Sequence, residues 1–240
     1  MNDFSWLYTW PQYIPQLLPG LWVAILMTVI ACVGGYILGF FLALLVESPS
    51  RIVHHVAIII VELGRGVPIL VLLYVFYQGL PQLGILLDPG PAAIAGLMFS
   101  AAGYSSEMIR AGLNAVPKGQ IEAADSLSLR TIDRYRFIVI PQAARISIPP
   151  LVNLTIIIFQ ATSLATVITV PEIMQHADVI GSVTFQYMSV YVAAGVLYLC
   201  ITIPGAILSG SLEKRMNGRP TSGRRTVRAL IPGVREPQSV

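Results

Sequence analysis

Charged residues are missing from this chain in long blocks. No Asp, Glu, Lys or Arg occurs between Asp3 and Glu47, between Arg65 and Asp88, between Asp88 and Glu107, between Arg145 and Glu172, or between Asp178 and Glu213. Each block holds about 18 residues or more, which is what an α-helix needs to cross the hydrocarbon core of a bilayer. The pattern predicts five spans, at about 20–46, 54–79, 91–110, 146–169 and 188–211. Five buried core helices of a soluble protein would need a polar outer layer, and this sequence has none to supply.

Composition sharpens the picture. Of the 240 residues 55% are apolar and 11% charged, against about 25% charged in a soluble chain. Cys32 and Cys200 both sit in apolar blocks and read as small buried hydrophobes rather than a disulfide or metal framework. A net charge of +3 would fit a nucleic-acid partner, but the distribution of the basic residues argues for topology instead. Arg51 follows the first block and Arg65 lies in the second. Arg110, Lys118, Arg130, Arg134, Arg136 and Arg145 occupy the central segment, and seven more lie between Lys214 and Arg235. Stretches 1–20, 80–91 and 169–187 have none. Basic connections stay cytoplasmic, so the N-terminus is expected outside and the C-terminus inside the cell.

Trp6, Trp10 and Trp22 lie near the expected outer end of the first span, where amphipathic rings favour the interface. Segment 1–19 contains Pro11, Pro15 and Pro19 and is expected to lie along the outer membrane surface. The tail 213–240 is basic and rich in Gly, Pro and Ser from Asn217 onward; this composition predicts disorder and contact with anionic lipid heads. The largest cytoplasmic connection, 111–145, is too short for a soluble catalytic domain.

That connection carries the most specific pattern. Pro117 suits a first helical turn, and Glu122–Leu127 favours a short helix on which Ile121, Ala124 and Leu127 share a face. Thr131 is placed to cap a second short helix with Asp133 in its first turn. The expectation is two short helices at the membrane surface, with alanines leaving a flat side for another protein; an amphipathic surface linker is the alternative.

The same residues resemble the EAA loop of type I ABC importer permeases. In that family Glu-Ala-Ala is followed after three residues by Gly, after nine intervening residues by Ile, and after one more by Leu-Pro. Glu122, Ala123, Ala124, Ile138 and Pro141 match with the spacing intact, Ile140 replaces Leu, and Ser128 stands at the Gly position. Ser meets a steric cost at positive φ, so the substitution predicts that a left-handed turn is not required there. Stretches such as "ELGRGVPILVLLYVFYQGLP" and "ATSLATVITVPEI" extend the resemblance over residues 15–215 and point to the polar amino acid branch (histidine, glutamate, glutamine, arginine, opines).

The resemblance implies an all-α integral membrane bundle of five spans, 20–212, with a cytoplasmic coupling loop. It implies that Glu122, Ala123, Ala124, Leu127, Ser128 and Pro141 transmit force from a cytoplasmic ABC ATPase dimer. It also implies a second permease subunit, identical or homologous, an extracytoplasmic solute-binding protein, and a polar amino acid as substrate. In the branch, the end of the fourth span often reads Lys-Asp-Thr-Ser-Leu and holds the amino acid. Thr162, Ser163 and Leu164 match, while Gln160 and Ala161 replace the charged pair, so Gln160, Thr162 and Ser163 are the candidate pathway residues; packing between spans is the alternative.

Charges at membrane depth need partners. Glu62 and Arg65, and Glu107 and Arg110, are each three apart and are expected to pair within their helices or across them. Gly64, Gly66 and Pro68 interrupt the second span, as in transport sites where freed backbone groups face a cavity. His54, His55 and His176 lack spaced partners for a metal. No Gly-Lys-Ser/Thr phosphate loop is present, so the chain is expected to bind no cofactor, with ATP and Mg on the partner. It is expected to be a transport subunit of the bacterial inner membrane and not an enzyme. An intramembrane enzyme and a stand-alone secondary carrier are the alternatives.

Overall fold

The computed structural model describes residues 6–216. The expectations for 1–5 and for most of the basic tail, 217–240, lie outside the described residues. The α-helices in chain order are α1 Trp6–Thr9, α2 Ile14–Val46, α3 Arg51–Gly66, α4 Ile69–Tyr74, α5 Pro89–Asn114, α6 Lys118–Ser126, α7 Thr131–Arg134, α8 Ile140–Ala161, α9 Ile173–Thr184 and α10 Tyr187–Met216. Short 3₁₀ and π turns join several of them, and no strand occurs among the described residues.

Three continuous helical runs are long and apolar enough to cross a membrane: Trp10–Val46, Thr131–Ile168 and Tyr187–Met216. A fourth is the pair α3 and α4, which the sequence pattern treats as one interrupted span. The interruption is a bend of 106°. Pro68 has no N–H to continue α3, and it pushes Val67 into extended backbone at ψ 130. The helix α5 is 26 residues long, about 39 Å, yet it is less apolar than the others. The cause is its position: α5 runs inside the bundle, against α2, α3, α4 and α8, with Ser100, Ser105 and Ser106 fully buried. Protein, not lipid, surrounds it.

The seam between α2 and α5 is built from small residues. An added Cβ at Gly39 would lie 2.0 Å from Ser105 Oγ and 2.8 Å from the Ala102 carbonyl, and one at Gly35 would lie 2.6 Å from Ala101 Cβ. The backbones therefore approach too closely for any side chain. Ser105 Oγ donates to the Gly35 carbonyl at 3.3 Å across the seam. The opposite face of α2 is unbroken apolar surface, with Val29, Val33, Ile37, Phe41 and Leu44 exposed, as a lipid-facing stripe at helical spacing should be. Tyr36 ties α2 to α8, its hydroxyl donating to the Leu151 carbonyl at 2.8 Å.

Two boundaries differ from the sequence pattern. The first long helix begins at Ile14, so residues 14–19, grouped by sequence with an external segment, form its first turns. Pro15 occupies the first turn, where the missing N–H costs little, and Pro19 lies inside the helix, where it removes the bond to the Pro15 carbonyl. Trp22 is exposed, whereas Trp10 packs against the cluster of Tyr13, Leu17 and Ile173. In the central segment, α7 is not a separate helix. It runs through a π turn, Tyr135–Val139, directly into α8. Thr131 is its first residue and Arg130 its N-cap, without a side-chain cap, which corrects the expected capping role of Thr131.

The π turn has a physical cause that repeats. Tyr135–Val139 ends two residues before Pro141, and the other π turn, Val75–Gly79, ends two before Pro81. A proline ring clashes with the carbonyl four residues back. Widening the preceding turn accommodates the ring, and the Ile140 and Leu80 N–H groups bond five residues back to Tyr135 and Val75.

Replacing Gly39 by Leu is expected to destabilise the bundle by about 3 kcal/mol, read as a lower unfolding midpoint of the purified membrane complex. Gly195→Leu, where nothing lies within 4 Å of an added Cβ, is the matched control and should leave the midpoint in place.

Candidate functional site

Three regions hold the residues singled out by sequence. The first is a charge ladder where α2, α3 and α5 meet. Arg65 Nε lies 3.2 Å from Glu62 and its Nη1 3.5 Å from Glu107; Arg110 Nη1 lies 2.8 Å from Glu107 and its Nε 3.1 Å from Glu47. Pairing thus occurs both within helices and across them. Glu47, at the C-cap of α2, was not among the sequence candidates. Its only sequence signal is its position as the first charge after a long apolar block. All five side chains are partly exposed, so the ladder sits at an aqueous rim, where each contact is worth at most about 1 kcal/mol. Tyr104 OH donates to the Arg65 carbonyl at 3.1 Å, covering an acceptor freed by the bend at Pro68.

The second region is the loop from Ala115 to Pro141. Ala124 is buried, and Ile121, one turn before it, packs against a small cluster of Val116, Val139 and Ala143. Ala124 anchors α6 inward and is not part of a flat outer face. Glu122, Ala123, Leu127 and Ser128 are exposed. Leu127 does not share the packed face of Ala124: it lies past the end of α6 and is 74% exposed. Leu129 and Ile132 are exposed with it, Ile132 at 77%. Pro141, also exposed, occupies the first turn of α8.

Ser128 corrects an expectation. Its φ is +53°, so the left-handed turn is kept although Gly is absent. The reason is the hydrogen-bond pattern closing α6: Leu129 N–H bonds back to the Ala124 carbonyl at 3.2 Å, a five-residue reach that requires a left-handed residue between. Arg134 braces the turn through an ion pair to Asp125.

The third region is the outer end of α8. Gln160 is exposed. Thr162 is fully buried and its hydroxyl donates to the Phe159 carbonyl at 2.7 Å, so it is committed to the helix end. Ser163 Oγ donates to the Gln160 carbonyl at 2.8 Å. Of the three, Gln160 alone presents a side chain without a partner among the described residues.

A fourth feature was not singled out by sequence. Glu172 is fully buried at the N-cap of α9, accepting from Met174 N–H at 2.9 Å, Gln175 N–H at 3.0 Å and Tyr198 OH at 3.1 Å. The backbone of α2 presses on it: an added Cβ at Gly20 would lie 2.7 Å from the Glu172 carbonyl carbon. Burial pushes this carboxyl, which lies in the connection between spans, up to about 7, against the lowering effect of its three donors.

These elements define a class: a helical membrane subunit without a phosphate-binding loop in its sequence, with a loop between its long helices that exposes apolar side chains. Residues 35–218 match the family described as binding-protein-dependent transport system inner membrane component. The chain is 37% identical over 190 residues to the "Probable amino-acid ABC transporter permease protein YckA" of Bacillus subtilis (strain 168), covering 79% of this chain and 84% of the relative. It is 32% identical over 215 residues to the glutamine transport system permease protein GlnP of Escherichia coli (strain K12), covering 89% and 98%. A crystal structure of an amino acid ABC transporter with histidines superposes with a TM-score of 0.81 at 32% identity, covering 90% of this chain and 99% of the other.

The chain therefore belongs to the family of binding-protein-dependent transport system inner membrane components. It has the fold of a type I ABC importer permease, and it is a multi-pass, non-enzymatic transport subunit whose ATPase and binding protein are separate chains.

Two outcomes are expected here. Ser128→Gly should stabilise the end of α6 by about 1 kcal/mol, seen as slower amide exchange over residues 118–129, while Ser128→Val should speed it. A carboxyl raised from 4.5 to about 7 adds stability below the lower value and loses it as pH rises through the upper one. The unfolding midpoint should therefore fall between pH 6 and pH 8 in the parent, and the fall should be smaller in Glu172→Gln.

Proposed function

We propose that this chain forms half of the membrane pathway of an ATP-driven importer for a polar amino acid. The observation that carries the coupling half of this proposal is the apolar edge Leu127, Leu129 and Ile132, exposed to water on a loop held by the buried Ala124. Apolar groups so placed favour burial against another protein. A cytoplasmic ABC ATPase, with ATP and Mg bound there, is the partner that fits. Glu122, Ala123, Leu127 and Ser128 meet it, Ala124 holds the loop to the bundle, and Pro141 joins it to α8. These residues pass on movement and perform no chemistry.

The N-terminus lies outside and the C-terminus in the cytoplasm, in keeping with the basic residues of the loop and tail. A second permease, identical or homologous, completes the pathway, and a binding protein delivers solute from outside. The names of the relatives support an amino acid as that solute. Gln160 and Ser163 stand at the outer end of the pathway, and Thr162 shapes the helix end behind them. The charge ladder fixes α2, α3 and α5 at the inner rim.

Leu127→Glu is the direct test. It adds charge to the exposed edge and leaves the Ala124 anchor alone, so the bundle should stay folded while the ATPase no longer co-purifies and uptake falls at least about tenfold. Uptake by the intact complex that persists without ATP would identify a secondary carrier instead.

A further inference from the structure

The lipid-facing stripe of α2 is wholly apolar, but α8 carries a line of amides. Gln142, Asn153 and Gln160 are 11 and 7 residues apart, so at about 100° per residue they fall within about 20° of one line along the helix. The line runs about 27 Å, nearly the thickness of a hydrocarbon core. Asn153 and Gln160 are exposed, and neither side chain has a hydrogen-bond partner among the described residues. Gln142 is half-buried and spends its Nε2 on the Ile138 carbonyl at 3.0 Å, leaving Oε1 free. An amide facing hydrocarbon without a partner costs about 2 kcal/mol or more, so two in one line do not fit a lipid-facing surface.

A second observation lies beside the line. Asn153 lines a cleft of about 410 Å³ between α8 and α10, together with Pro149, Pro150, Ser209 and Glu213. Pro149 and Pro150 sit inside α8 and have no N–H to give, so the carbonyls of Arg145 and Ile146 lose their usual helical donors. Ser209 Oγ donates to the Pro149 carbonyl at 3.1 Å. Glu213 is the one charged side chain among the cleft's described lining residues.

We infer that Gln142, Asn153 and Gln160 form an uncharged carboxamide rail that guides the solute through the membrane, with the Asn153–Glu213 cleft as an intermediate resting place for its ammonium group. The assignment rests on the importer function proposed above. A carboxamide both donates and accepts, so it serves the carboxylate and the ammonium of a zwitterion alike without fixing a counter-charge. The solute class is accordingly a net-neutral polar amino acid. The competing occupant of this face is a helix of the second permease, bonded amide to amide.

The test uses the complete complex in membrane vesicles, with Cys32→Ala and Cys200→Ser as background. A charged, membrane-impermeant methanethiosulfonate reagent is applied to Gln142→Cys, Asn153→Cys, Gln160→Cys and Val152→Cys, the last lining an apolar groove. The rail predicts labelling at 142, 153 and 160 and none at 152. No labelling at 153 and 160 overturns the rail, as does equal labelling at 152; disulfide-linked subunits through 153 or 160 without labelling assign the face to a subunit seam. Labelling reads water access whether or not uptake occurs, so it separates failure of the rail from failure of the importer assignment. In a transport assay Asn153→Asp should shift preference toward cationic over neutral amino acids by about tenfold. An unchanged ratio overturns the solute contact.

Discussion

In a bilayer, lipid tails are as apolar as leucine, so helices gain nothing by hiding hydrophobic faces from water. They associate where their backbones can come close enough for dispersion and hydrogen bonds to outweigh contacts with lipid. The seam of Gly35 and Gly39 against Ala101, Ala102 and Ser105 meets that condition, and much else depends on it. It sets α5 at the centre, where Ser100 and Ser106 are buried with no partner for their hydroxyls among the described residues and other serines reach a carbonyl of a neighbouring helix. Ser105 uses one from α2, and Ser147 of α8 donates to the Met108 carbonyl of α5 at 3.1 Å. It also brings the inner ends of α2, α3 and α5 together, which is what allows five charged side chains to meet in one ladder.

Proline does the opposite work. Each one placed inside a helix removes a donor and releases a carbonyl, and the backbone responds differently at each. At Pro68 the chain turns by 106° and Tyr104 covers the Arg65 carbonyl. At Pro81 and Pro141 the preceding turn widens. At Pro149 and Pro150 the helix continues, a serine from α10 donates to the Pro149 carbonyl, and a cleft opens beside it. Some of the polar groups of the bundle thus collect where prolines interrupt the backbone ladder.

The long helices were legible from gaps in charge because apolar length is what a bilayer selects. The ion pairs were legible because a spacing of three places charges on one face. Pairing with Glu47 was not, since it depends on how two helices cross. Ser128 shows another limit: the type of residue argued against a left-handed turn, but the hydrogen bond from Leu129 to Ala124 imposes one. Leu127 was placed on one face with Ile121 and Ala124 by periodicity, yet α6 ends just before it and periodicity stops there. Glu172 resembled an ordinary loop acid, because nothing local reveals that Gly20 will press against its backbone. Thr162 matched a family pattern, but its hydroxyl is spent on the helix end.

The continuity of α7 with α8 has a mechanical meaning. Thr131–Ile168 is a single helical run of 38 residues, about 57 Å long, which is longer than a hydrocarbon core is thick. A tilt of about 10° of such a rod about its middle displaces each end by about 5 Å, in opposite directions. The tandem prolines lie near its middle, where a lever has its fulcrum. Displacement at one tip of a continuous helix is felt at the other, with no relay of intermediate contacts.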